Sequence, residues 1–191
     1  MSDEIQWHDE AELLGVRVRA WFFEPDEAAA LADPVARLLP FLADAPPQPT
    51  HPLGQRSTHA VGSLQAQPDA VLRHGEGLIC LTYKTPDTRP HDRQRWRQGL
   101  RVDVMLQAIA QAMAVAGQHN QPTAALWRGS NVVYQFDPGS PVLECLATHI
   151  SAARHYWNEP SFVSPAQLAS FCEPRLRALP GLAHSEGMAL G

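Results

Sequence analysis

The stretch Gln67-Pro68-Asp69-Ala70-Val71-Leu72-Arg73-His74-Gly75-Glu76-Gly77-Leu78-Ile79-Cys80-Leu81-Thr82-Tyr83-Lys84 decides the fold. Two apolar runs, Ala70 to Arg73 and Leu78 to Lys84, flank the glycine-rich turn His74-Gly75-Glu76-Gly77, the pattern of a β-hairpin. Strand alternation sets Thr82 and Lys84 on one face and Tyr83 on the other. Because the two strands lie side by side, Asp69 and the 82–84 segment end at the same place. Cys80 falls within the apolar run and is expected to be a buried small hydrophobe.

Downstream, Thr85 to Pro90 is a proline-bracketed loop, and a helix is predicted from His91 or Asp92 to Gly117. Asp103, Gln107 and Gln111 recur every four residues and draw one polar line along that helix. Around them stand Val104, Met105, Leu106, Ile109 and Met113, so the helix should be largely buried. Buried amides need partners, so the line is expected to face a site. Ala124 to Arg128 and Val132 to Phe136 read as strands joined through Gly129-Ser130. Leu143 to Trp157 reads as a helix, and a short one follows the Ser164-Pro165 start signal.

Upstream, Arg56 to Leu64 reads as a strand and the four-proline stretch Ala45 to Pro52 as a linker. Glu27 to Leu42 looks helical around Asp33-Pro34, and residues 11–24 contain a strand through Val16, Val18, Trp21 and Phe22. The division expected is an acidic N-terminal appendage (1–45), a core (46–179) and a flexible tail (180–191). The element order predicts an α/β fold with a mixed central sheet.

At 191 residues with 45% hydrophobic content, the chain suits one globular domain with an appendage. Its N-terminus is acidic, unlike a secretory signal, and its apolar stretches are too short to span a bilayer. A cytoplasmic protein with no membrane partner is expected. Cys80, Cys145 and Cys172 show no paired spacing, which argues against a zinc ribbon or an all-cysteine cluster. Net charge is −5, yet Lys84, Arg89, Arg93, Arg95, Arg97 and Arg101 outnumber Asp87 and Asp92 between positions 84 and 101. A local basic patch on an acidic chain can still meet phosphates, because fields are screened over about 10 Å.

Three pieces together resemble the PD-(D/E)XK nuclease superfamily, and within it the RecB-like branch and CRISPR-associated exonucleases. They are Pro68-Asp69, Thr82-Tyr83-Lys84, and the helix segment Leu106-Gln107-Ala108-Ile109-Ala110-Gln111-Ala112. The resemblance covers roughly Leu53 to Phe136 and implies a restriction-endonuclease-like core, a mixed sheet flanked by helices. It implies that Asp69 binds Mg²⁺ or Mn²⁺, that Lys84 lies near the attacking water, and that Gln107 and Gln111 occupy the family's glutamine motif. Thr82 stands at the second acidic position, where a neutral hydroxyl is a weak ligand for a hard cation. The iron–sulfur cysteines of the CRISPR-associated members are missing, so no such cluster is expected. His51 and His59 are positional counterparts of the family's upstream histidine, each expected on a loop or at the surface.

Three functions follow as expectations. The first is a metal-dependent DNA nuclease, an exonuclease by resemblance. Its metal would be held by Asp69, the Tyr83 carbonyl and waters, with Glu76, Asp87 or best Asp103 replacing the missing carboxylate. Thr82 lies in that catalytic set, Lys84 would orient the water, and Gln107 would hold Lys84 or the nucleophile. The second keeps the fold without the chemistry, binding DNA or a helicase or nuclease partner. Arg93, Arg95, Arg97 and Arg101 would meet phosphates, Trp96 would stack on a base, and Gln111 would join them. In the third, the acidic N-terminal block docks onto a basic protein.

Overall fold

A computed structural model describes residues 7–23, 48–50, 57–61, 64–83, 91–157, 170 and 173–176. Its main sheet has seven strands in the order β1-β2-β9-β8-β7-β6-β3. These are β1 (Trp7–Leu13), β2 (Val16–Phe22), β3 (Gln48–Pro49), β6 (Ala70–His74), β7 (Gly77–Tyr83), β8 (Thr123–Arg128) and β9 (Val132–Pro138). β4 (His59–Val61) and β5 (Leu64–Ala66) form a separate two-stranded sheet. The helices are α1 (Trp96–Gly99), α2 (Val102–His119) and α3 (Ser140–Trp157). All the described pairings are antiparallel except β7 with β8, so the sheet is mixed as expected.

The predicted hairpin is β6–β7, registered from Ala70 opposite Leu81 to His74 opposite Gly77. Gly75 takes φ +57° in its turn, a conformation a β-carbon disfavours. Gly77 is needed for space, since a β-carbon there would sit 2.9 Å from the Pro122 carbonyl oxygen. That carbonyl accepts the Leu78 N–H at 2.8 Å, where β7 meets β8. Gly77→Ala must therefore push two backbones apart, and we expect about 1–2 kcal/mol of destabilisation, read as a lower urea midpoint at unchanged m-value.

The β7–α2–β8 unit lays α2 across the sheet, with Met105, Leu106, Ala108, Ile109 and Val115 at 1% exposure or less. Each large apolar side chain so buried contributes roughly 1.5–3 kcal/mol, which outweighs the modest helix propensity of Val and Ile. This face forms the larger core, with Val16, Val18, Tyr134 and Phe136 from β2 and β9. Phe23, Leu72, Ile79, Leu81, Leu126 and Val133 form a second cluster on the opposite face.

Several boundaries differ from expectation. The strand expected within 11–24 belongs to a hairpin, β1–β2, turning at Leu14 (φ +52°) and Gly15 (φ +74°). Two consecutive positive φ values make the tight turn whose twist suits paired strands. Leu14 bears this conformation while only 3% exposed, so burial offsets its local strain. β2 pairs with β9, so the N-terminal segment extends the main sheet. Within the expected linker, Gln48 and Pro49 pair with β6 as an edge strand, where proline's missing donor costs little. The strand expected over 56–64 is instead β4 followed by β5.

The single helix expected from residue 91 is broken. α1 ends at Gly99, Leu100 and Arg101 are extended, and α2 begins at Val102. Trp96, Leu100 and Val102 are all buried, and the extended step lets all three point inward. The helix expected over Leu143–Trp157 is α3, begun three residues earlier. Predicted elements at 27–42, most of the helix after Ser164-Pro165, and the 180–191 tail lie outside the described residues.

Candidate functional site

Asp69 lies one residue before β6, level with Thr82. Its N–H donates to the Leu81 carbonyl at 3.1 Å, and its Oδ2 accepts the Tyr83 N–H at 2.9 Å. The half-buried carboxylate thus caps the end of β7. Alternation turns Thr82 towards α2, where its hydroxyl donates to Gln111 Oε1 in a buried hydrogen bond. Hairpin and glutamine line therefore meet through Thr82 and Gln111, at 8% and 6% exposure. Behind them, burial pushes the Cys80 thiol far above its usual range and the Asp69 charge adds to the rise. Cys80 is thus a neutral packing group, as its place in the apolar run suggested.

One register row crosses the sheet at this level. Thr82 pairs with Trp127, Trp127 with Tyr134, Tyr134 with Ala20, and Ala20 with Asp9. The row has an aromatic centre, Trp127 and Tyr134 stacking at 5.6 Å, and a carboxylate near each end. His91 stands over the centre. Its Nδ1 lies 2.8 Å from Tyr134 Oη and its ring 5.3 Å from that of Trp127. Its backbone is clamped by Asn131, whose Oδ1 accepts the His91 N–H and whose Nδ2 donates to the His91 carbonyl, both at 2.9 Å. Burial raises the Tyr134 phenol's pKa, so the phenol keeps its proton.

His91 and Asn131 were missed from sequence, where neither belongs to a periodic pattern or a motif. Arg128 was missed too. It ends β8 at 2% exposure, with its guanidinium 5.8 Å from the Phe23 ring centre. A charged residue closing an apolar strand was the available signal.

The basic segment changes character. Trp96, expected to stack on a base, is 2% exposed. Its ring stacks on Tyr134 at 5.8 Å and its indole N–H donates to Asp9 Oδ2 at 2.9 Å. Both contacts occupy it internally, which corrects that expectation. Arg97, expected at a phosphate, pairs with the same Asp9 oxygen at 2.9 Å. Burial pushes the Asp9 carboxyl upward, but hydrogen bonds from Trp96 and Arg97 and the Arg97 charge bring it below its usual value. Arg101 holds both oxygens of Asp103, at 3.0 and 2.5 Å. Arg93 and Arg95 are exposed without an ion pair among the described residues.

Gln107 is half-buried one turn before Gln111. Asp103 precedes Gln111 by eight residues, about 12 Å along the axis, so it is well removed from Thr82. His59, expected at the surface, is 1% exposed and meets His119 at the far end of α2. Lys84, Asp87, Arg89 and His51 lie outside the described residues.

A hard divalent cation needs several converging oxygens with available lone pairs. Thr82 is a neutral, weak ligand engaged with Gln111, one Asp69 oxygen caps a strand, and Asp103 is held by Arg101. No group of three histidine, cysteine, aspartate or glutamate side chains gathers as a ligand set among the described residues. These donors do not by themselves fit the magnesium site that the resemblance implies. No helix among the described residues is long and apolar enough to cross a membrane. Comparison of the chain with protein-family models, with curated proteins and with solved structures found no match.

Proposed function

We propose that this chain is a nuclease-like α/β domain, of restriction-endonuclease-like type, that binds a nucleic-acid backbone without cutting it. The observation that carries this reading is the closed Thr82–Gln111 pair at the position where a second carboxylate would serve a metal. A buried hydroxyl engaged with a buried amide is a weak ligand for a hard cation and adds no negative charge. Asp69 works as a strand cap, and chemistry through Mg²⁺ or Mn²⁺ would need a second acid that the described residues do not gather beside it.

Binding is supported by the placement of Arg93 and Arg95. They follow His91, which Asn131 clamps beside the β8–β9 turn, at the sheet end where β7 and β8 finish. In open α/β sheets ligands gather at the carboxyl ends of parallel strands. With Arg97 and Arg101 already paired to carboxylates, this segment offers two uncommitted arginines, Arg93 and Arg95. Two phosphate contacts give a shallow salt dependence, a slope of about −1.8 in log K against log salt for duplex DNA.

The expected result is weak DNA binding that falls about tenfold between 50 and 200 mM salt, is indifferent to Mg²⁺, and is lost in the Arg93→Ala/Arg95→Ala variant. Fluorescence anisotropy with a labelled duplex and the matching single strand measures it. Absence of binding at low salt would refute the reading. Cleavage by the wild-type chain in Mg²⁺ or Mn²⁺ would replace it with the nuclease, with Asp69 and Lys84 as the residues to remove next.

A further inference from the structure

The two edges of the main sheet differ. On one side β3 closes the described sheet with two residues, and its Pro49 cannot donate to a neighbour. On the other side β1 presents seven residues, Trp7–Leu13, whose described strand pairing is with β2 alone. β1 and β2 turn tightly through Leu14 and Gly15, with Leu13 opposite Val16. In such a two-residue hairpin the closing pair is hydrogen-bonded, and bonded pairs recur at every second residue. Trp7, Asp9, Ala11 and Leu13 therefore bond to β2. The N–H and C=O groups of His8, Glu10 and Glu12 point outward along the edge.

All three outward residues are exposed. The Glu10 carbonyl accepts a long bond of 3.4 Å from Arg97 Nη2, whose shorter bond of 2.9 Å goes to Asp9 Oδ2. No other hydrogen bond reaches the outward main chain of these residues among the described residues. A long, exposed and unpaired edge is a template for another strand.

The sequence of β1 says which strand fits. Outward residues must meet outward residues, and the antiparallel register that uses the whole strand centres on Glu10. In that register Trp7-His8-Asp9-Glu10-Ala11-Glu12-Leu13 complements its own reverse. Trp7, packed against the larger core and 5.4 Å from the Phe22 ring, meets Leu13 of the other copy. His8 meets Glu12 of the other copy on the exposed face, and Asp9 meets Ala11. Glu10 alone meets its like. Each Glu10 carboxylate is already held by Arg19 at 2.9 Å and by Arg17 at 3.5 Å, which offsets that repulsion.

We propose that β1 is a docking edge for a second copy of this chain, joined antiparallel about Glu10 so that the two sheets run on as one. The outward N–H and C=O groups of His8, Glu10 and Glu12 in each copy pair with those of the other. Arg97 gives up its long bond to the Glu10 carbonyl and keeps its pair with Asp9. A contact built on one strand edge is small, so the dimer is weak and reversible, like other transient interfaces.

The test is sedimentation of the full chain over about a hundredfold range of concentration, with backbone amide exchange measured at both ends of the range. Mass should rise towards the dimer, and the His8, Glu10 and Glu12 amides should gain protection as it does. Glu10→Pro removes an outward donor without touching the β1–β2 ladder and should abolish association, with the fold checked by urea denaturation. His8→Glu sets a like charge against Glu12 twice in each dimer and should weaken association about 2–30-fold, the usual strength of two cross-strand pairs. His8→Glu/Glu12→His exchanges the two partners and should restore it, a rescue that pairing with a foreign strand would not give. A wild-type chain that stays monomeric throughout would overturn the proposal. So would a dimer whose three amides stay unprotected, or one that the double variant fails to restore. Arg93 and Arg95 are unchanged in every variant, so none of these results bears on DNA binding.

Discussion

Trp96→Ala is expected to lower stability by about 3–5 kcal/mol, the range for removing a large aromatic side chain from a packed core. Trp96 is 2% exposed and stacks on Tyr134, which in turn stacks on Trp127. Loss of the ring leaves a cavity under α1 and deprives Asp9 of the indole donor. Domains of this size are marginally stable, by about 5–15 kcal/mol, so urea denaturation should show a large fall in midpoint or an unfolded protein at 25 °C. A change within 1 kcal/mol of wild type would mean that Trp96 is not buried as described.

Trp96→Phe separates packing from polarity. Phenylalanine retains much of the apolar contact but cannot donate to Asp9, so the cost should be smaller. The sign of its pH dependence follows from Asp9, whose folded pKa lies below its usual value. Such a group stabilises the fold above its unfolded pKa, about 3.9, and that contribution is lost as pH falls through the lower folded value. Removing the indole donor raises the folded pKa and shrinks the contribution. The stability gap between wild type and Trp96→Phe should therefore be widest near neutrality and narrow in acid. A gap that widens in acid would contradict the Asp9 contact.

The β6–β7 hairpin was legible because a period of two, a glycine turn and a local register are all short-range properties. The polar line on α2 was legible for a similar reason, since every fourth residue faces one way. Trp96 was misread because a tryptophan among arginines looks exposed when only neighbours in sequence are counted. Its partners Asp9 and Tyr134 come from distant strands, and pairing across 87 residues leaves no local trace. The same holds for Arg97, whose charge is neutralised by Asp9 rather than offered to solvent. His59 and His119, 60 residues apart, meet only because β4 packs on the last turn of α2. Sequence periodicity set Asp69 beside the 82–84 segment and Gln111 on the polar line, but the Thr82–Gln111 contact and the ownership of each charge came from tertiary pairing.

The second large effect is expected at that meeting point. Thr82→Val keeps the side-chain shape but removes the donor, leaving the buried Gln111 oxygen without its bond. The cost should be about 1–3 kcal/mol, the penalty for an unsatisfied buried polar group. Gln111→Leu should cost a similar amount by stranding the Thr82 hydroxyl. The double variant Thr82→Val/Gln111→Leu removes both polar groups together and should be closer to wild type than the singles sum to. A coupling of about 1–3 kcal/mol in this cycle, measured by urea denaturation, would establish the pair as a closed structural contact. Additive losses would mean that each side chain serves a different partner, and Thr82 would return as a candidate ligand. Thr82→Asp then asks the complementary question. Its carboxylate would need the Gln111 amide to turn its nitrogen inward, and it would restore the charge that Thr82 lacks beside Asp69. If the proposed nuclease-like reading holds, Mg²⁺-dependent cleavage should appear in this variant alone. Continued inactivity, with the fold retained, would count against a metal-dependent nuclease site at this position.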